Sequence, residues 1–134
     1  MKPELKTVWV DALLNGGYEQ GQGVLRNNYK AGDETKSEYC CLGVLCDKLG
    51  IGHWGEGDDT DYYYPIDESD DDYYDIREGQ EPAAPVERYV EAELDNNLLE
   101  HTGITPDQMG ELIDMNDNKG ASFEDIAVYI EEHL

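Results

Sequence analysis

A chain of 134 residues fits one domain with a single modest core, and an apolar share of 39% makes that core thin. Thirty-two acidic against nine basic side chains leave a net charge of −23, which excludes direct binding of nucleic acid through its phosphates and disfavours an anionic membrane surface. No stretch reaches the roughly 20 apolar residues of a membrane span, and no apolar signal-peptide segment follows Met1-Lys2-Pro3-Glu4.

The charge is lopsided. Residues 1–50 hold six basic and seven acidic side chains, a net of −1, whereas residues 51–134 hold three basic and twenty-five acidic, a net of −22. Self-repulsion on this scale opposes a compact state, so the acid is expected to have a use. General salt adaptation would spread it along the whole chain. Three cysteines, two of them adjacent, suggest reduced thiols in a cytosol, because neighbouring cysteines pair only under strain.

Taken in order, residues 4–15 read as a helix with Leu5, Val8, Trp9, Ala12 and Leu13 on one face, ended by Asn15-Gly16-Gly17. Residues 22–29 and Tyr39-Cys40-Cys41-Leu42 read as extended runs, the arms of a β-hairpin with a long polar tip. A helix from about Gly43 to Leu49 follows, stopped by Gly50 and Gly52. Its stripe of Cys41, Leu42, Leu45, Cys46 and Leu49 is expected to pack on Trp9 and Leu13.

Residues 53–85 differ in kind. Eleven acidic residues lie between Glu56 and Glu78 with Arg77 as the one cation, and tyrosines cluster among them at Tyr62-Tyr63-Tyr64 and Tyr73-Tyr74. Composition so charged favours disorder or a surface position, while the tyrosines favour two short strands, around Tyr62–Tyr64 and Tyr73–Ile76. From Pro85 a helix is expected to run to about Leu99, with Val86, Tyr89, Val90, Leu94 and Leu98 inward and Gly103 past its end. Thr105-Pro106-Asp107-Gln108 is a capping box opening a helix that carries Met109, Leu112, Ile113 and Met115. Ser122 caps a last helix with Phe123, Ile126, Ala127 and Ile130 on its apolar face. The expected fold is a small α+β domain: a near-neutral part over 1–52, an acidic tyrosine-rich insert over 53–85, and C-terminal helices over 86–134.

The residues Trp9-x-x-Ala12-Leu13, Gly16-x-Tyr18-x-Gln20-Gly21-x-Gly23-x-Leu25-Arg26 and Tyr39-Cys40-Cys41-Leu42-Gly43-Val44-Leu45-Cys46-Asp47 recur as a set, followed by Leu112-x-x-x-Asn116-Asp117 and Ser122-Phe123-x-x-Ile126-Ala127-x-x-Ile130. In this set the chain resembles a family of small uncharacterised bacteriophage and prophage proteins. The likeness covers both ends and is weak between about 52 and 104. It implies a phage setting and little chemistry.

Three local patterns invite a chemical reading. A thiol nucleophile needs a lowered pKa and a base, for which His53 and His101 are the candidates; apolar neighbours at Leu42, Val44 and Leu45 favour core packing instead. The Cys-Cys-x4-Cys spacing is not that of a zinc knuckle. Gln20-Gly21-Gln22-Gly23 lacks the lysine and the following helix of a phosphate loop, although Tyr18, Gln20 and Arg26 could line a small-ligand pocket. Asp114-x-Asn116-x-Asn118-x-Gly120-x-Ser122-x-x-Asp125 has EF-hand spacing, but Lys119 stands where glycine is needed and Asp125 where a bidentate glutamate is.

These readings lead to a non-enzymatic phage accessory protein in the host cytoplasm, with no cofactor, no metal and no catalytic residues. Its acidic surface would mimic a nucleic-acid backbone and inhibit a host nucleic-acid-binding protein, with Asp58, Asp59, Asp61, Asp70, Asp71 and Asp72 as the charge and Tyr62, Tyr63, Tyr64, Tyr73 and Tyr74 as anchors. The alternatives are a small-ligand binder sequestering a nucleotide-derived signal and an acidic interaction protein with no mimic role. Homo-oligomerisation stays open.

Overall fold

A computed structural model describes residues 1–55, 60–65 and 87–134. Within them five helices and two three-stranded sheets form an α+β fold. Helix α1 spans Pro3–Asn15, with proline in the first turn, where a missing N–H costs nothing. Trp9, Val10, Ala12 and Leu13 face inward. The buried arc is centred between Trp9 and Leu13, which turns Val10 in and leaves Val8, expected on that face, 45% exposed.

Strands β1 (Glu19–Gln20), β2 (Arg26–Ala31) and β3 (Glu34–Tyr39) form a sheet in the order β1-β3-β2, with β1 parallel to β3 and β2 antiparallel to it. The hairpin is present, but its tip is not long. Ala31 pairs with Glu34, so only Gly32-Asp33 turns the chain, with glycine at φ +69 taking the conformation a two-residue loop demands. The turn-like Asn27-Asn28 belongs to the ladder, held by Asn27 Nδ2 donating to Glu38 (3.2 Å) and Ser37 Oγ to Asn28 (2.7 Å) across the strands.

Helix α2 spans Cys41–Leu49 and ends at Gly50, φ +73. It begins two residues earlier than expected, so Cys41 and Leu42 are helical and not the end of a strand. The cause is Cys40, whose sulfur accepts the Gly43 N–H at 3.4 Å and acts as the N-cap. Cys40 to Cys46 are all buried.

The second sheet is antiparallel throughout, β4 (His53–Trp54), β5 (Tyr62–Pro65) and β6 (Glu87–Val90) in that order. The strand expected at Tyr62–Tyr64 is β5; its companion at Tyr73–Ile76 lies outside the described residues. The long helix expected over 85–99 does not form across its described part. Glu87–Val90 instead completes the ladder with β5, and a separate helix, α3 (Asn96–Thr102), starts behind an Asp95 N-cap. Pro85 and Val86 lie outside the described residues.

Helices α4 (Pro106–Asp117) and α5 (Phe123–His133) open on complete capping boxes, Thr105 with Gln108 and Ser122 with Asp125. Phe123, Ile126, Ala127 and Ile130 are buried as expected. One apolar cluster joins α1, α2, α4 and α5 to both sheets. Leu25 connects the sheets: its N–H donates to Glu91 O (2.7 Å), and its carbonyl accepts the Cys40 N–H (3.2 Å). Among the described residues no helix is long and apolar enough to cross a membrane.

Candidate functional site

The cysteine segment is a packing device. Cys41 and Cys46 are at most 1% exposed, and burial holds both thiols well above their ordinary range. Burial pushes Cys40 up to about 11 against the opposing bond from the Gly43 amide, so the start of α2 does not acidify it. The segment is also locked from outside. Trp9 Nε1 donates to Cys41 O at 2.9 Å, and a Cβ on Gly43 would stand 1.8 Å from the Leu25 carbonyl oxygen. Only glycine lets α2 approach the backbone that closely.

The Gln20-Gly21-Gln22-Gly23 loop meets Asn116-Asp117 at the end of α4. Asn116, 1% exposed, donates to Gly21 O and Asp117 Oδ1, each at 2.8 Å, and accepts from Gln20 Nε2 at 3.0 Å. Gln20 also donates to Ala121 O (2.8 Å), Gln22 to Asn116 O (3.1 Å), and the Gly23 amide to Asp117 (3.2 Å). The glycine pattern therefore makes a clasp between ends of the chain. A shallow cleft of about 220 Å³ remains beside it.

The same contacts answer the EF-hand spacing. Asn116 is turned into the clasp, and Asp114, which accepts from Asn118 (3.0 Å), also pairs with Lys119 (3.4 Å). Among the described residues no three His, Cys, Asp or Glu side chains converge on a point suited to an ion.

Tyr18 and Arg26 belong to one aromatic cluster, linked through Tyr39 and Trp54, and Gln20 is drawn to the clasp instead. Tyr18 packs edge-on against Tyr39 (5.0 Å between ring centroids), Tyr39 against Trp54 (5.9 Å), and Trp54 against Tyr62 (5.2 Å). The Arg26 guanidinium lies 4.7 Å from the centre of the Trp54 ring. Asp47 ties this cluster together, accepting from the Tyr18 hydroxyl and from Trp54 Nε1 (3.0 Å). Burial, and then the Asp47 carboxylate, raise the Tyr18 pKa. Burial and Asp47 raise that of Tyr39 as well, with Arg26 opposing. Asp47 and Trp54 were not singled out by sequence reasoning; the available signal was Asp47 closing the cysteine motif.

Sheet alternation sorts the tyrosines of β5. Tyr62 and Tyr64 point into the core, 1% and 3% exposed, and so are not surface anchors; Tyr63 points outward. Tyr64 donates its hydroxyl to Asp95, the cap of α3. Asp61 is half-buried beside β5. Asp58, Asp59, Asp70, Asp71, Asp72, Tyr73 and Tyr74 lie outside the described residues.

Beyond β6 the surface is acidic. Residues 91–134 carry twelve carboxylates and one basic side chain, Lys119, and none of the twelve is buried. Lys119 reaches Glu111 (3.0 Å) and Asp114. Asp95 and Asp125 cap helices; most of the others stand exposed.

The arrangement is that of a small α+β protein with a clasped N-terminal part and a negatively charged helical surface. Residues 1–134 match the model of a family described as a domain of unknown function, DUF8296, and the chain belongs to that family. The match runs through the acidic middle segment as well as both ends. No curated protein and no solved structure matches the chain.

Proposed function

We propose that this is a non-enzymatic phage accessory protein of the host cytoplasm that inhibits a nucleic-acid-acting host protein by presenting an acidic, DNA-like surface. One observation carries the reading: twelve carboxylates against one lysine over 91–134, none buried, displayed largely on helices with fixed caps. Carboxylates held on rigid elements need little ordering when they meet a basic groove, and their field steers encounter at low salt. Tyr18 is engaged by Asp47 and Gln20 by Asn116 and Ala121, so these two do not form one open pocket with Arg26, which favours binding at the acidic face.

The test is capture from host lysate with elution by duplex DNA, compared with a variant carrying Asn at Asp58, Asp59, Asp61, Asp70, Asp71 and Asp72, and a second carrying Gln at Glu124, Glu131 and Glu132. A nucleic-acid-binding protein released by duplex and by salt, and held at least tenfold more weakly by one variant, is the expected result. Unchanged affinity in both variants, with circular dichroism unaltered, sinks the mimic reading.

A further inference from the structure

The outer face of the second sheet carries a row of aromatic rings within the acidic half. Pairing places His53, Tyr63 and Tyr89 side by side in one row across β4, β5 and β6. The His53 and Tyr63 rings stack at 5.6 Å and 16°, and the Tyr63 and Tyr89 rings lie 5.7 Å apart. Tyr89 is 61% exposed, and the His53 side chain 60%. Carboxylates border this row. Glu87 lies 3.0 Å from His53 Nε2, and Asp61 and Glu91 are the residues next beyond the β5–β6 ladder.

Aromatic faces edged by carboxylates suit one kind of side chain above others. A guanidinium is flat and weakly hydrated, so it stacks on a ring while its N–H groups bond carboxylate oxygens in pairs. An ammonium is compact and strongly hydrated, and loses more on leaving water. Within the molecule, Arg26 already makes the stacking half of this arrangement against Trp54, the β4 neighbour of His53. Large rigid aromatics are also the residues that dominate contact energies. Negative charge alone does not distinguish arginine from lysine; this row does.

We infer that the outer face of β4-β5-β6 is the contact surface for the partner, and that it takes arginine side chains projecting from that partner's basic groove. This rests on the proposed function and adds to it the place of contact and the chemistry recognised. Tyr89, the exposed ring on the edge strand, supplies the stacking face, Tyr63 packs behind it, and Glu87, Asp61 and Glu91 supply the oxygens.

The experiment is calorimetric titration of the full chain at 150 mM salt with two peptides of equal length and charge, four arginines or four lysines spaced by glycine. Tyr89→Ala, Tyr63→Ala and Tyr89→Phe variants are titrated in parallel, with circular dichroism as a check on the fold. The expected result is about tenfold tighter binding of the arginine peptide, lost in Tyr89→Ala and Tyr63→Ala but kept in Tyr89→Phe, which retains the ring. Equal affinity for the two peptides overturns this inference while leaving charge mimicry standing. A preference that persists in both alanine variants overturns the location. Binding of neither peptide overturns the inference and the mimic reading together.

Discussion

The two halves of the molecule meet their carboxylates in different ways. In the N-terminal half the clasp and the aromatic cluster pair their carboxylates and side-chain amides within the fold. Asp47 is satisfied by neutral donors, a tyrosine hydroxyl and an indole N–H, and Glu19 by the hydroxyl of Tyr29 at 2.8 Å. In the C-terminal half two carboxylates are spent on helix caps, and most of the rest face water with Lys119 as the one basic neighbour in the chain from residue 91 on. The first half is held by close packing. The second shares the same apolar core and adds to it an exposed charge that this packing has to sustain.

That difference predicts where the protein breaks hardest. Gly43→Ala would set a methyl 1.8 Å from the Leu25 carbonyl, and neither group is a flexible side chain that can step aside. Relief requires moving α2 off the strand that carries Arg26 and off Trp9. Overpacking of backbone by backbone is expected to cost about 3 kcal/mol or more, enough to leave much of the chain unfolded. Urea denaturation should show loss of the cooperative transition, and salt should not restore it. A transition near the wild-type midpoint would show that α2 can shift cheaply.

Alkali attacks the core next, from both halves. Tyr62, pushed up to about 12 by burial, and Cys40, pushed up to about 11, are both held neutral by the fold. For an acid whose pKa is raised on folding, the unfolded chain loses its proton first. Stability is therefore intact below the unfolded values, about 9 for the thiol and 10 for the phenol, and falls as pH rises through the folded ones. Cys40 alone is expected to remove about 2–3 kcal/mol between pH 9 and 11. Cys40→Ser titrates far above this window and should flatten the first part of the decline. An identical profile in that variant would assign the loss to Cys41, Cys46 and the tyrosines, whose pKa values burial also raises.

Asn116→Ala is the third in size. It leaves the Gly21 carbonyl and the Gln20 amide short of a partner in a buried position, which is expected to cost about 2 kcal/mol. Proteolysis should then cut first in the 20–23 loop. Resistance equal to that of the native chain would mean that Gln22, Asp117 and Ala121 hold the clasp unaided.

What could be read beforehand follows the range of the interactions. The capping boxes at Thr105 and Ser122, the apolar face of α5 and the glycine that ends α3 are written within four residues of one another, and they are as expected. Strand β6 reads as helix in the sequence because four residues inside an acidic stretch show no period of their own; its partner, β5, lies more than twenty residues back. The hairpin reads with shorter arms and a longer tip than it has for the same reason. Asn27-Asn28 has turn composition, and only the opposite strand makes it a ladder. Of the site residues, Tyr18 and Arg26 join one cluster only through Tyr39 and Trp54, while Gln20 is drawn away by Asn116, 96 positions further on. No local spacing marks such a contact. The split of Tyr62 and Tyr64 from Tyr63 was available from strand alternation, once β5 was granted to be a strand with one buried face.

The smallest expected effect separates the halves most cleanly, because it has the opposite sign. Helix α5 ends in Glu131-Glu132-His133, so two carboxylates sit at the negative end of its dipole, while Lys6 reaches across from α1 to the Glu131 carbonyl at 3.1 Å. Replacing Glu131 and Glu132 by Gln relieves both the dipole and the surrounding acid, and should raise the melting temperature by about 2–3 °C in low salt. At about 1 M salt the screening length falls to about 3 Å, so the gain should vanish as the native protein itself becomes more stable. Packing substitutions in the N-terminal half, Val44→Ala among them, should lower the melting temperature equally at both salts. If the glutamine variant gains nothing in low salt, the acidic helices do not strain the fold, and the argument that their charge is kept for a partner loses its energetic ground.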